Sequence, residues 1–190
     1  MLSRRDLLAD LLATGAFLTG ASAVSANTQN ARLDIDQSLL PQRVQVMEKY
    51  VVGQIIVVPS HHLLYWIDQK GSAMRYGIGV GKAGLEFTGQ AIIQRKAEWP
   101  SWRPTNEMIS REPHKYEKFK DGVPGGPTNP LGARALYLYE NGIDTYFRIH
   151  GTTQPGSIGR SVSNGCIRMI NDHVIDLYDR VPVGTVVSVI

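Results

Sequence analysis

From Gly53 onward the chain is cut into short β-branched and aromatic runs: "QIIVVP", "HLLYWI", "MRYGIGVG", "QAIIQR", "ALYLYE", "TYFRIH" and "TVVSVI", mostly bounded by Gly, Pro, Asn or Ser. Runs this short and this rich in stiff side chains are poor helices, but they suit a pleated, half-buried surface closed by tight turns. The pattern predicts a mainly β, antiparallel sandwich or barrel-like domain with a few short helices. One helix is expected late in the chain: Asn171 or Asp172 caps it, Val174, Leu177, Tyr178 and Val181 form its apolar face, and Pro182 with Gly184 stops it. Ahead of the strands, "LLPQRVQVMEKYV" carries Leu39, Leu40, Val44, Met47 and Val51 at roughly helical spacing, so residues 27–52 read as a linker with a short helix.

Between "QAIIQR" and "ALYLYE" lies a stretch without clear periodicity, including "EWPSWRPTNEMISREPHKYEKF" and "DGVPGGPTNPLG". A segment that long inside a compact domain is functional or unstructured. Its Trp99, Trp102, Tyr116 and Phe119 argue against disorder. Residues 98–127 therefore read as an ordered lid or one wall of a substrate groove, with a surface insertion as the alternative.

Residues 1–26 have a different texture. Arg4-Arg5 stand near the start, a weakly apolar run follows from Leu7 to Val24, and Val24-Ser25-Ala26 closes it with small residues. That reads as a twin-arginine-type export signal and predicts a periplasmic or cell-envelope destination. The run is shorter than the ~20 apolar residues of a bilayer span, so no stable membrane span is expected once the signal is removed. Arg4, Arg5, Asp6 and Asp10 cancel, which leaves the mature chain at the +3 of the full chain. That charge is too mild, and Lys and Arg too scattered, to argue for nucleic acid, but it is compatible with an anionic substrate or an envelope surface.

Cys166 is the only cysteine. An exported chain with one thiol forms no internal disulfide, so the thiol is free, intermolecular or reactive, with a buried inert cysteine as the bland alternative. A cysteine nucleophile needs a base, and "TYFRIHGT" offers His150. Period-2 alternation along that strand groups Phe147 with Ile149 on the core face, and Tyr146, Arg148 and His150 on the other. The same arithmetic in "CIRM" buries Ile167 and Met169 and sets Cys166 beside Arg168. A guanidinium near the sulfur is expected to favour the thiolate, and the amides around Gly165 and Cys166 to receive a developing oxyanion. His61 and His62 are adjacent and point apart in a strand, while His114 and His173 lack metal-ligand spacing, so no metal site is expected.

"RIHGT" followed by "SNGCIRM" resembles the signature of the L,D-transpeptidase catalytic domain, the YkuD or ErfK/YbiS/YcfS/YnhG family. The resemblance covers about residues 53–190. It implies that Cys166 is the nucleophile and His150 the proton acceptor and donor, that Gly151 lies beside the carbonyl orienting the imidazole, and that Ser163, Gly165 and Arg168 shape the oxyanion loop. It implies no cofactor. The implied substrate is a peptidoglycan stem peptide containing diaminopimelate, with an amine on a neighbouring stem or on an envelope protein as acyl acceptor. Two departures stand out: Asn164 occupies a position where many members carry histidine, and "EFTGQAII" replaces a frequent Thr-Pro-x-Gly turn. Asn164 hydrogen-bonds but does not titrate near neutrality, so the proton chemistry rests on His150. The exported protein is expected to begin near Asn27, which N-terminal sequencing checks; Met1 retained on a cytoplasmic protein would remove the export reading.

Overall fold

A computed structural model describes residues 35–190; the export-signal reading of residues 1–26 lies outside the described residues. The strands are β1 (Gln42–Gln45), β2 (Ile55–Val58), β3 (Leu63–Gln69), β4 (Ser72–Gly77), β5 (Val80–Gly81), β6 (Gly89–Glu98), β7 (Arg134–Glu140), β8 (Ile143–His150), β9 (Ser161–Ser163), β10 (Ile167–Arg168) and β11 (Val186–Val189). The helices are α1 (Asn106–Arg111), α2 (Pro113–Tyr116) and α3 (Asn171–Arg180). Every apolar run singled out in the sequence lies on a strand. The class is mainly β, built on one open nine-stranded sheet in the order β1-β4-β3-β2-β11-β6-β7-β8-β10, with β5 and β9 paired separately. The sheet is mixed: β2 runs parallel to β11 and β8 parallel to β10, while the other pairings in it are antiparallel.

All four residues of β2 are buried, which is why "QIIVV" shows no polar alternation. Ile55 and Val57 face one apolar cluster together with Leu64, Ile93, Leu136, Ile149, Ile167, Met169, the α3 residues Val174 and Leu177, and Val181 just after the helix. Ile56 and Val58 face a second cluster with Tyr65, Ile67, Val46 and Tyr50.

The short helix expected in residues 27–52 is not found between residues 35 and 52. A 3-10 turn (Gln37–Leu39) ends at Leu40, whose ψ of 152° is extended, and β1 follows, pairing with β4 from Gln42↔Arg75 to Gln45↔Ser72. Pro41 disfavours the helical conformation at Leu40 and lacks an N–H to continue the ladder of hydrogen bonds. Val44, Val46 and Tyr50 then take up the apolar surface of the second cluster.

Helix α3 forms where expected and buries Val174 and Leu177, but also His173. Its cap differs from expectation: Ile170 is the N-cap and makes no side-chain cap bond, and Asn171 is the first helical residue. The Asn171 Oδ1 instead accepts from the Ala133 amide at 3.0 Å, so this side chain ties the helix to the start of β7. At the other end, the Lys96 ammonium donates to the carbonyls of Tyr178 (2.5 Å) and Val181 (2.7 Å), a cation on the negative end of the helix.

Residues 98–127 are ordered by local chemistry. Thr105 caps α1 by accepting from the Met108 amide at 3.2 Å. Trp102 meets Tyr116 and Phe119 edge-on, with centroids 6.3 and 5.7 Å apart. Trp102 and Val123 exchange backbone hydrogen bonds of 2.9 and 2.7 Å. Asn129, fully buried, closes the segment by donating to the carbonyls of Val123 and Pro124.

Ile149 is fully buried between Leu136 of β7 and Ile167 of β10. Ile149→Ala should destabilise the domain by about 2–4 kcal/mol through lost burial and a residual cavity, read as a lower midpoint in urea with an unchanged slope.

Candidate active site

The β8–β10 pairing positions the site. Ile167 pairs with Ile149 and Arg168 with His150 in parallel register. Paired residues in a parallel ladder share a face, so Arg168 and His150 stand together, and Cys166, one step before β10, falls on that face diagonally across from His150. Such diagonal neighbours are about 7–8 Å apart between Cα atoms, within reach of an imidazole ring. Ile167 and Met169 face the core, as alternation requires.

His150 is buried, and its Nδ1 lies 2.5 Å from the Gly151 carbonyl oxygen. A carbonyl only accepts, so Nδ1 carries the proton and Nε2 is left with a lone pair. Burial lowers the His150 pKa to about 4; the Gly151 and Leu131 carbonyls oppose this, and Arg168 and Arg148 add to it. The imidazole is neutral at physiological pH.

The Cys166 residue is only partly exposed, and its thiol donates to the Tyr146 carbonyl at 3.7 Å. Burial pushes the thiol pKa up, while the Arg148 amide and the guanidiniums of Arg148 and Arg168 pull it down and Asp144 adds to the rise. The expected thiolate is therefore corrected: burial of the sulfur outweighs the guanidiniums, and the resting pair is neutral thiol and neutral imidazole.

The carbonyl facing the thiol comes from a break in β8. Alternation predicts Tyr146 in line with Arg148 and His150, but the β7–β8 register shifts between Tyr137 and Tyr139, and Tyr146 takes a left-handed φ of 61° with its side chain exposed. The Asp144 carboxylate holds this bulge: Oδ1 accepts from the Tyr146 amide at 2.8 Å, and its two oxygens receive the Arg148 guanidinium at 2.7 and 2.8 Å. A non-glycine residue at positive φ beside a reactive group is the kind of strain a bulge sustains for a purpose. Sequence pattern gave no sign of it.

The loop before Cys166 is internally bonded. Ser163 Oγ donates to the Cys166 carbonyl at 2.7 Å and accepts from the Gly165 amide at 3.1 Å. The Gly165 amide is thus already used, and the backbone donor left for an oxyanion is that of Cys166 itself. Gly165 has φ +121°, and a side chain there would strike the Leu85 carbonyl and the Phe147 ring. Gly151 has no room either, since an added Cβ would meet Asn171 Oδ1 and the Ala133 amide. Asn164 accepts from Arg111 Nη2 at 2.9 Å and donates to the Tyr116 hydroxyl at 2.6 Å, so α1 and α2 grip the cysteine loop. Neither Arg111 nor Tyr116 carries a motif that would single it out in the sequence. Arg168 bonds Gln154 Oε1 at 3.2 Å.

On the flank of Phe147 opens a cavity of about 350 Å³ lined by Phe87, Glu140, Asn141, Ile143, Thr145 and Phe147. A larger one, about 620 Å³, lies at Val51–Gln54 and Pro182–Val186 and is lined by none of the site residues. Among the described residues no cluster of three or more His, Cys, Asp or Glu is placed to hold a metal ion, and no helix is long and apolar enough to cross a membrane.

Cys166 and His150 lie on one face at the β8–β10 edge of a mainly β domain, with a glycine beside each, an arrangement of thiol and base suited to acyl transfer. Residues 53–189 match the family model for the L,D-transpeptidase catalytic domain, YkuD. The chain belongs to the L,D-transpeptidase catalytic domain family. It is 35% identical over 156 residues to the probable L,D-transpeptidase ErfK/SrfK of Escherichia coli, covering 81% of this chain and 49% of that protein. It is 48% identical over 162 residues to the putative L,D-transpeptidase YkuD of Bacillus subtilis, covering 80% of this chain and 84% of that one. The chain spans about half the length of the enteric relatives it matches. A crystal structure from Brucella melitensis, described as a probable carnitine operon oxidoreductase, is 54% identical and superposes with a TM-score of 0.57 over 81% of this chain and 95% of that one.

Alkylation of the substrate-free thiol by iodoacetamide should rise with pH and reach its midpoint above the ~8.5 of an ordinary cysteine, because the raised pKa keeps the thiol protonated below it. A plateau already reached at neutral pH would indicate a resting ion pair instead. His150→Ala should leave that midpoint nearly unmoved, since a neutral imidazole contributes no charge.

Proposed function

We propose that the protein is a peptidoglycan L,D-transpeptidase that forms a cysteine acyl-enzyme on a tetrapeptide stem. In this reading Cys166 is the nucleophile and His150 the proton carrier, while Gly151, Ser163, Asn164, Gly165 and Arg168 support them. The observation that carries it is the β8–β10 register, with Cys166 and His150 on one face and the His150 Nδ1 proton committed to the Gly151 carbonyl.

The substrate presents the carbonyl of the L-centre of diaminopimelate to Cys166. The thiol leaves its bond to the Tyr146 carbonyl and passes its proton to Nε2 of His150 as sulfur bonds the carbonyl carbon. The oxyanion is held by the Cys166 amide, and the imidazolium by the Gly151 and Leu131 carbonyls that already favour the charged ring. Collapse breaks the amide bond, the terminal D-alanine leaves with the proton from Nε2, and a thioester remains on Cys166. An acceptor amine then loses a proton to Nε2 and attacks the thioester, and the thiol departs reprotonated by His150. Starting from a neutral pair, each half-reaction moves one proton in and one out through a single ring nitrogen.

The acceptor is an amine on a neighbouring stem or on an envelope protein. Residues 98–127 form one wall of the stem-binding groove, a reading supported by the Arg111–Asn164–Tyr116 bonds. Residues 1–26 act as a twin-arginine-type export signal, 27–52 join it to the catalytic domain of 53–190 and add the edge strand β1 to its sheet, and the enzyme works in the periplasm. The oxidoreductase wording attached to the Brucella melitensis structure finds no echo in this site, where a nucleophile and a base are paired for acyl transfer.

Incubation of the mature protein with a diaminopimelate tetrapeptide, with and without an amine acceptor, tests the proposal by intact mass. The expected result is a protein adduct lacking D-alanine that resolves into an acceptor-linked product, and no adduct with Cys166→Ala. A free tripeptide at the same rate with and without the amine would make the enzyme an L,D-carboxypeptidase. An unchanged peptide would leave a wall-binding module. Asn164→Ala should slow turnover by about ten- to thirtyfold, the equivalent of its two lost loop hydrogen bonds at ~0.7–1 kcal/mol each, while Cys166→Ala abolishes it.

A further inference from the structure

We propose that Arg111 and Arg168 form a carboxylate-binding subsite beside Cys166, which takes a free carboxylate of the stem peptide adjacent to the attacked carbonyl; its assignment to a stem peptide rests on the transpeptidase reading. The two arginines belong to the surroundings of the same loop. Arg111 Nη2 donates to Asn164 Oδ1 at 2.9 Å, and Asn164 Nδ2 donates to the Tyr116 hydroxyl at 2.6 Å. Tyr116 and Cys166 in turn lie close enough to Arg168 for their charges to act on its guanidinium.

Neither cation has an anionic partner within 4 Å among the described residues. Arg43, Arg134, Arg148 and Arg180 are all ion-paired, to Asp68, Glu98, Asp144 and Asp176. Arg111 bonds the neutral amide of Asn164, and Glu107, one turn back on α1, feels its charge without closing a salt bridge. Arg168 bonds only the neutral amide of Gln154, and half-burial disfavours its charged form.

A half-buried guanidinium that has lost water without gaining an anion is a site prepared for one. The guanidinium fork matches a carboxylate with two parallel N–H donors. Arg111 spends one Nη on Asn164 and Arg168 one on Gln154, which leaves donors on both. A tetrapeptide stem offers two carboxylates near the attacked carbonyl: that of the terminal D-alanine and that on the D-centre of diaminopimelate. Either would be drawn to the loop carrying the nucleophile, and its charge would be lost to the site when the bearing group leaves or the product dissociates.

The test uses small reagents that ask about the subsite without asking about turnover. Iodoacetate and iodoacetamide alkylate the same thiolate and differ in carrying a carboxylate or a neutral amide, so the ratio of their rates cancels any change in the Cys166 pKa. On the mature protein, Arg111→Gln and Arg168→Gln should each lower the iodoacetate-to-iodoacetamide ratio by about fivefold, Arg111→Lys by less, and Lys118→Gln, an exposed cation lying over Phe119, not at all. Arg111 is exposed on a helix, so its variant tests the idea even if Arg168→Gln fails to fold. A ratio within twofold of wild type in Arg111→Gln would overturn the subsite and leave Arg111 as a tie between loops.

A second arm identifies the source of the carboxylate. Wild-type kcat/KM should fall on either a tetrapeptide with a C-terminal amide or one with the D-centre of diaminopimelate amidated, and Arg111→Gln should erase that difference. If both amides are turned over as well as the parent peptide, the subsite does not serve the stem and the proposal fails. Absence of all turnover with the alkylation ratio intact would count against the transpeptidase reading and not against the subsite.

Discussion

A two-residue parallel pairing at the edge of a large sheet holds the site together. Ile167 and Arg168 run beside Ile149 and His150, and the proposed catalytic pair is either on these residues or next to them. So short a ladder contributes little by itself, and its fixity comes from what surrounds it. On its free side Arg168 and Gly79 exchange backbone hydrogen bonds of 2.9 and 2.8 Å, and Met169 donates to the His150 carbonyl at 2.8 Å. Beneath it Ile149, Ile167 and Met169 sit in the main apolar cluster. Parallel strands need a long crossover, and here the connection from His150 to Ile167 carries β9, which pairs with β5 and fixes the start of the cysteine loop through Lys82 donating to the Ser163 carbonyl at 3.0 Å.

Electrostatics at the site are decided by a contest that burial wins. A guanidinium about 4 Å from a thiolate is worth about 4 kcal/mol at an effective dielectric of 20, yet Arg148 is already neutralised by Asp144 and Arg168 is itself partly desolvated. What remains does not offset the cost of an ionised sulfur out of water, and the thiol stays protonated. The same burial keeps His150 neutral and so able to accept a proton. A neutral pair also protects the sulfur, because a protonated thiol is slow to oxidise.

Much of this was legible in the sequence. The β-branched runs between turn formers marked the strands, because a pleated sheet selects those side chains whatever the topology. Alternation in "CIRM" set Cys166 beside Arg168 and in "RIH" put His150 on the polar face of its own strand, because period 2 survives where a strand is regular; the shared face needed the β8–β10 pairing. It failed at Tyr146, where a bulge interrupts β8 without a glycine to announce it. It failed also at residues 39–51, where a periodic stripe looked helical but Pro41 turned the chain into an edge strand. The mixed direction of the sheet was hidden because a buried parallel strand and a buried antiparallel one carry the same residues. Arg111 and Tyr116 were hidden for a different reason: their meaning lies in contacts with Asn164, some fifty residues on, and no local pattern encodes such a contact.

Asn164 explains how the long segment and the cysteine loop hold one arrangement over a range of pH. It must accept from Arg111 and donate to Tyr116 at once. A carboxamide always has both an acceptor and two donors. An imidazole at that position would satisfy both partners only as one neutral tautomer, and on protonation it would turn a donor toward the Arg111 guanidinium. With asparagine there, the grip of α1 and α2 on the Cys166 loop is decoupled from proton uptake, and in the proposed mechanism His150 is left as the group whose protonation changes. In that mechanism the loop stays clasped while His150 gains and loses its proton, which keeps the Cys166 amide in one place through both half-reactions.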